Sequence, residues 1–261
     1  MLVMGILNLT PDSFADGGRH NSFEAGVARG LEMIAEGVDI IDIGGESTRP
    51  GSPPVSVEEE LSRVMPVIYA LRDCGKPLSL DTRRAVVMRE AIAAGVDMIN
   101  DIEGFRHEDS LRAVSESDCG LCIMHMQGEP QTMQQHPHYV NVVTEVSTFL
   151  AKRVAAAEMA GIARDRICID LGFGFGKTLQ HNLDLLAHSE MIQSELRLPL
   201  LVGLSRKSMI GQITGKPVEQ RLAGSLAAAL AAVKHGARIV RAHDVAETVD
   251  ALKVWQAVES V

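Results

Sequence analysis

The sequence predicts a (β/α)8 barrel in a single domain, and three observations predict it. Eight short β-rich runs alternate with helical patterns along 261 residues, the size and rhythm of such a barrel. The runs lack polar alternation, as expected of parallel strands covered on both faces. One phrase also recurs: a helix ending in small residues and glycine, then an apolar run that stops at a polar residue.

The first run, residues 2–7, ends at Asn8. A helical pattern over 23–36 leads to Gly37, a natural C-cap, and to a strand at 40–43. A helix over 57–71 precedes a strand at 78–80, and Gly95 closes the next helix before a strand at 98–100. Strands at 121–124 and 167–169 flank a helix over 142–160. A strand at 200–202 is followed by a helix over 220–234, Gly236 and a last strand at 238–240. No linker divides the chain, so residues 1–261 are expected to form one domain. A doubly wound open sheet is the alternative.

Composition narrows the function. At 46% hydrophobic the chain can bury a full core, and a formal net charge of −9 argues against a broad basic surface for nucleic acid. The apolar start lacks a basic flank and stops at Asn8, too early for a signal peptide, and no stretch approaches membrane-spanning length. A soluble, cytoplasmic protein is therefore expected. Cys119 and Cys122 have zinc-like spacing but no second pair, and strand residues three apart point to opposite faces. Ordinary buried thiols are expected at these positions.

In a barrel of this kind the chemistry sits at the C-terminal ends of the strands. Reading those positions gives Asn8, then Glu46 to Arg49, Asp81 with Thr82, Asn100 with Asp101, His125, Asp170, Ser205 to Lys207, and Arg241 with His243. Asp81, Asn100 and Asp170 are acceptors suited to a guanidine-like donor edge, whereas Arg49, Lys207, Arg241 and His243 suit phosphate or carboxylate. Together they describe a pocket for a heterocycle carrying phosphates. Two long loops rich in glycine and proline, 10–18 and 44–54, stand at the same rim and suit lids. The stretch Gly172-Phe-Gly-Phe-Gly-Lys-Thr178 is one residue too short between its glycines for a Walker A loop.

The ordered stretches M-G-I-L-N-L-T-P-D-S-F-A-D-G-G, D-I-G-G-E-S-T-R-P-G, S-L-D-T, I-N-D-I, M-H-M-Q-G-E-P, G-F-G-F-G-K, L-V-G-L-S-R-K-S and R-A-H-D-V span the chain. In this order the chain resembles the dihydropteroate synthase family. The resemblance implies a barrel that joins 6-hydroxymethyl-7,8-dihydropterin pyrophosphate to p-aminobenzoate, releasing pyrophosphate, in folate biosynthesis. It implies that Asp81, Asn100, Asp170 and Lys207 hold the pterin, and that Asn8, Arg241 and His243 meet the pyrophosphate, with Asn8 at a Mg2+. Thr48, Arg49, Phe175 and Ser208 are implied for p-aminobenzoate, with Phe14 and Pro50 in the closing loops. Lys207, Arg241, His243 and Asp81 are the expected catalytic set. A homodimer through the small residues of 224–233 and sulfonamide as a p-aminobenzoate mimic are implied as well.

On this reading Asp170 is a ligand, Phe175 lines the pocket, and Lys177 is an incidental surface lysine. Two residues depart from the family pattern: Leu171 stands where proline is usual, which is expected to loosen the turn presenting Asp170, and Glu103 has no ready account. The rivals are a methyltetrahydrofolate-dependent methyltransferase, which needs neither the Arg241 and His243 pair nor the loops, and a non-catalytic pterin-binding paralogue.

Overall fold

The computed structural model describes residues 1–10, 19–48 and 51–260, the side chains of 19–22 excepted. Phe14, Arg49 and Pro50 lie outside the described residues. Eight strands form a closed barrel in chain order: β1 (Leu2–Asn8), β2 (Ile40–Gly44), β3 (Leu78–Asp81), β4 (Met98–Asp101), β5 (Gly120–Met124), β6 (Ile167–Asp170), β7 (Leu200–Val202) and β8 (Ala237–Ala242). All neighbouring pairs are parallel, and β8 closes on β1. The expected (β/α)8 barrel is therefore what forms, and the open sheet is not. Most strands run one or two residues past the apolar stretch, because the polar residue that ends each stretch is still held in the ladder.

The helices among the described residues are α1 (Arg19–Ala35), α2 (Val57–Leu71), α3 (Ala85–Ala93), α4 (Glu108–Ser115) and α5 (Val142–Met159), followed by α6 (Leu179–Ala187), α7 (Ser189–Leu196), α8 (Ser208–Thr214), α9 (Leu222–Lys234) and α10 (Val245–Glu259). Their starts are chemically marked. Ser56 caps α2 by accepting from Glu59 N, and Glu58, Glu59 and Glu60 face its positive end. Asn141 caps α5, and Thr178 with His181 forms a capping box on α6.

The two-residue period of each strand sorts side chains into two compartments. Outward residues such as Ile41, Ile43, Leu78, Leu80 and Ile99 join the helices in the main core. Inward residues form two layers: Met4, Cys122, Cys168, Leu201 and Ile239 pack together below, and Asp42, Asp81, Asn100, Asp170 and Arg241 stand two residues or so further along their strands. The lower layer is apolar and the upper one is charged. Cys119, Cys122 and Cys168 are buried free thiols, as expected, and Cys74 is half-buried.

Candidate active site

The upper interior layer is organised by one guanidinium. Arg241, from the end of β8, donates through Nε to Asp42 Oδ2 at 2.6 Å and through Nη2 to Asp81 Oδ2 at 2.8 Å. Burial opposes its charge, but Asp42 and Asp81 outweigh burial and raise its pKa. Asp81 does not gain enough from the shared cation: burial, with the neighbouring Asp42 carboxylate, pushes it up to about 7. Asp42 is fully buried and also accepts from Ser79 Oγ at 2.6 Å and Asn100 Nδ2 at 3.3 Å. Asn100 Oδ1 is buried and has no hydrogen-bond partner among the described residues.

Across the mouth, Lys207 stands at the N-terminus of α8 with Nζ donating to the Phe173 carbonyl and lying 4.9 Å from the Phe175 ring centroid. Burial lowers its pKa to about 8 against the pull of Asp170. Burial raises Asp170, which is countered by Lys207. The structure thus brings together Asp81, Asn100 and Arg241 on one side, and Asp170, Lys207 and Phe175 on the other. His243 N donates to Ser205 Oγ at 3.2 Å, and its Nδ1 lies 3.0 Å from the same oxygen. Asn8 ends β1 with Oδ1 over Gly44, whose missing Cβ leaves room between Asn8 and Asp81. Ser208 is exposed at the start of α8.

Thr48 lines a cleft with Glu46, Ser52, Arg83 and Glu129. The base of that loop is clamped: Glu46 pairs with Arg83 at 3.2 Å and Arg84 at 3.1 Å. Arg83 pairs onward with Glu103 at 3.0 Å, and His107 reaches Glu103 at 2.9 Å. Glu103 is therefore the far anchor of the network that holds the second loop. Asp101, although adjacent to Asn100, points away from the mouth and accepts from Glu103 N and Phe105 N at 2.8 Å each.

Two expectations are overturned. Lys177 is not a surface lysine: it is 3% exposed, with Nζ 2.9 Å from His125 Nδ1 and donating to the Gly172 and Phe175 carbonyls at 2.9 and 3.0 Å. Burial lowers its pKa well below the usual lysine value. Leu171 does not loosen the turn, because its side chain is fully buried in the main core and Gly172 N donates to Asp170 Oδ1 at 2.8 Å. The sequence reading also missed Asp42. A charge inside an otherwise apolar, doubly covered run was the signal, since such a charge must be paired.

Fold and mouth together define a barrel enzyme whose pocket receives a planar, donor-edged heterocycle bearing an anionic group. Residues 4–243 match the family model described as pterin binding enzyme. The chain is 51% identical over 259 residues to the dihydropteroate synthase of Neisseria meningitidis serogroup C, covering 98% of this chain and 92% of that protein. Its fold matches Xanthomonas albilineans dihydropteroate synthase with 4-aminobenzoic acid at a TM-score of 0.94 and 54% identity, over 100% of this chain and 93% of that one. The Yersinia pestis dihydropteroate synthase in a sulfonamide drug complex gives a TM-score of 0.94 at 46% identity, over 100% of this chain and 94% of that one. The chain belongs to the dihydropteroate synthase family of pterin-binding transferases.

Proposed function

We propose that this chain joins 6-hydroxymethyl-7,8-dihydropterin pyrophosphate to p-aminobenzoate, forming 7,8-dihydropteroate and pyrophosphate. The observation that carries the reading is the pairing of an acceptor wall, buried Asn100 and Asp170 with half-buried Asp81, with Arg241 and Lys207 in one barrel mouth. Carboxylates and an amide oxygen match the N–H edge of the pterin pyrimidine ring. Lys207 spans the pterin and the Phe175 ring. Arg241 has Nε and one Nη2 hydrogen committed to carboxylates, so both Nη1 hydrogens and the second Nη2 hydrogen are left for pyrophosphate oxygens, with His243 beside it at the same strand end.

The reaction breaks the bond from the pterin methylene to oxygen and forms one to the aniline nitrogen. Arg241 and His243 stabilise charge growing on the departing oxygen. Asp81 and Asp170 favour the positive charge left on the methylene, which places dissociation ahead of attack. The aniline nitrogen is unprotonated at neutral pH, so no general base is assigned. Thr48, Phe175 and Ser208 belong to the p-aminobenzoate side, together with Arg49, Phe14 and Pro50.

No group of three or more His, Cys, Asp or Glu side chains suited to a metal occurs among the described residues. Asn8 Oδ1 at the end of β1 is a single protein oxygen, which suits the way Mg2+ binds with phosphates, through one or two protein oxygens with phosphate and water filling the rest. Asn8 would hold it, and the bound ion would offset charge on the leaving pyrophosphate. No described helix is long and apolar enough to cross a membrane. We assign the chain as one pterin-binding domain over residues 1–261, cytoplasmic, acting as a homodimer through the small-residue face of α9.

The test is pyrophosphate release from the pterin substrate with Mg2+, run with and without p-aminobenzoate, while dihydropteroate is followed by chromatography. Coupled release and product support the reading; pterin binding without release rejects it in favour of a non-catalytic paralogue. Arg49→Ala should raise the KM for p-aminobenzoate, and an unchanged KM would remove the second loop from the substrate site.

A further inference from the structure

We propose that Asp42 is the positioning residue of the pterin pocket: it turns the Asn100 amide so that its oxygen, not its NH2, meets the pterin, and it anchors Arg241 beside it. The proposal rests on the pterin reading above and deepens it.

Asp42 reaches three other strands from the middle of β2. Ser79 of β3 donates to its Oδ1 at 2.6 Å, while Asn100 of β4 and Arg241 of β8 share its Oδ2 at 3.3 and 2.6 Å. With a guanidinium and a hydroxyl already donating to it, this carboxylate acts as an acceptor. An amide can face an acceptor only with its NH2, so the flipped Asn100 would set two oxygens against each other. The amide oxygen is thereby committed to the other direction, where it is buried without a partner among the described residues. A buried acceptor left alone is costly unless a ligand brings the donor. An asparagine by itself could offer either polarity to a ligand; Asp42 removes that choice and selects for a donor-bearing edge.

Asp42→Asn tests this, because an amide in place of the carboxylate can present either an oxygen or an NH2 and frees Asn100 to flip. The expected result is a KM for dihydropterin pyrophosphate raised about tenfold or more, with the KM for p-aminobenzoate within about twofold of wild type. General loosening of the barrel would move both constants alike; that result, or no change in either, overturns the proposal. Should the variant fail to fold, wild-type protein carrying 15N-asparagine decides. The Asn100 NH2 protons should exchange slowly before pterin is added and keep that protection afterwards, since their acceptor is in the protein. Protection that arises only with pterin would mean the NH2 is donated to the ligand, which overturns the proposal. A wild-type protein that does not bind the dihydropterin in calorimetry overturns the reading of the pocket, and this proposal with it, before any variant is compared.

Discussion

Nζ of Lys177 lies 2.9 Å from Nδ1 of His125, and both side chains are buried. The pair fastens the glycine-rich turn after β6 to the end of β5, because the same Nζ also holds the Gly172 and Phe175 carbonyls. Lys177→Met leaves those acceptors unpaired and should lower the free energy of unfolding by about 2–4 kcal/mol, read from denaturant melts. It should also weaken pterin binding, since Asp170 is presented by that turn.

His125 makes folding acid-sensitive. Burial, assisted by Lys177, lowers its pKa from 6.5 to about 2. Below 6.5 the unfolded chain takes up a proton that the folded chain refuses, so stability falls as pH falls. The slope from this one group approaches about 1.4 kcal/mol per pH unit. His125→Asn keeps an oxygen toward Lys177 and should flatten that part of the stability curve; an unchanged slope would assign the acid sensitivity elsewhere.

Asp81 and Lys207 should bound the pH range of catalysis. Asp81 ionises above about 7, and Lys207 keeps its charge below about 8. The profile of kcat/KM for the dihydropterin substrate should therefore be a narrow bell between those limbs. Lys207→Arg should retain the acid limb and lose the alkaline one, at reduced activity. In folding the Asp81 contribution has the opposite sign to that of His125: it is fully present below 3.8 and is lost as pH rises through about 7.

Removing the shared guanidinium should be severe. Arg241→Met leaves Asp42 and Asp81 facing each other without their cation, an arrangement that costs about 3–5 kcal/mol of stability. Arg241→Lys offers a point charge that cannot bridge both carboxylates. Thermal melts of the two variants should rank wild type above Lys and Lys above Met, and equal melting of wild type and Met would remove the ion pair from any structural role.

Gly172 and Gly215 provide a controlled comparison. Both have positive φ, 67° and 71°. A Cβ on Gly172 would lie 1.8 Å from the His125 carbonyl oxygen, whereas one on Gly215 meets nothing within 4 Å. Gly215→Ala should cost about 1 kcal/mol, for backbone strain alone. Gly172→Ala must displace backbone and should lose more than about 4 kcal/mol or fail to accumulate as folded protein.

The strand order and most of the mouth were legible in the sequence because parallel strands in a barrel announce themselves as apolar runs with a polar terminus. Asp81, Asn100, Asp170 and Arg241 were found by that rule. Asp42 was not, because it stands inside its run and its role depends on partners 37, 58 and 199 residues away. Lys177 was misread for a related reason: a lysine after a glycine turn looks solvated until the turn is seen folding back on the chain. Glu103 acquires its link to the second loop through Arg83, at a sequence separation of 20 residues. Local pattern reveals which side chains reach the rim, and long-range pairing decides which of them hold the others still.

The apolar layer of Met4, Cys122, Cys168, Leu201 and Ile239 closes the barrel beneath the charged one. Among the described residues, the charged layer therefore stands on the rim side of that floor. On the proposed reading, a ligand seated deep against that floor would be covered by one nearer the rim. With the pterin held deep by Asp81, Asn100 and Asp170, as proposed, an arylamine that arrived first would stand in its way, and pterin-first addition is the order expected from depth.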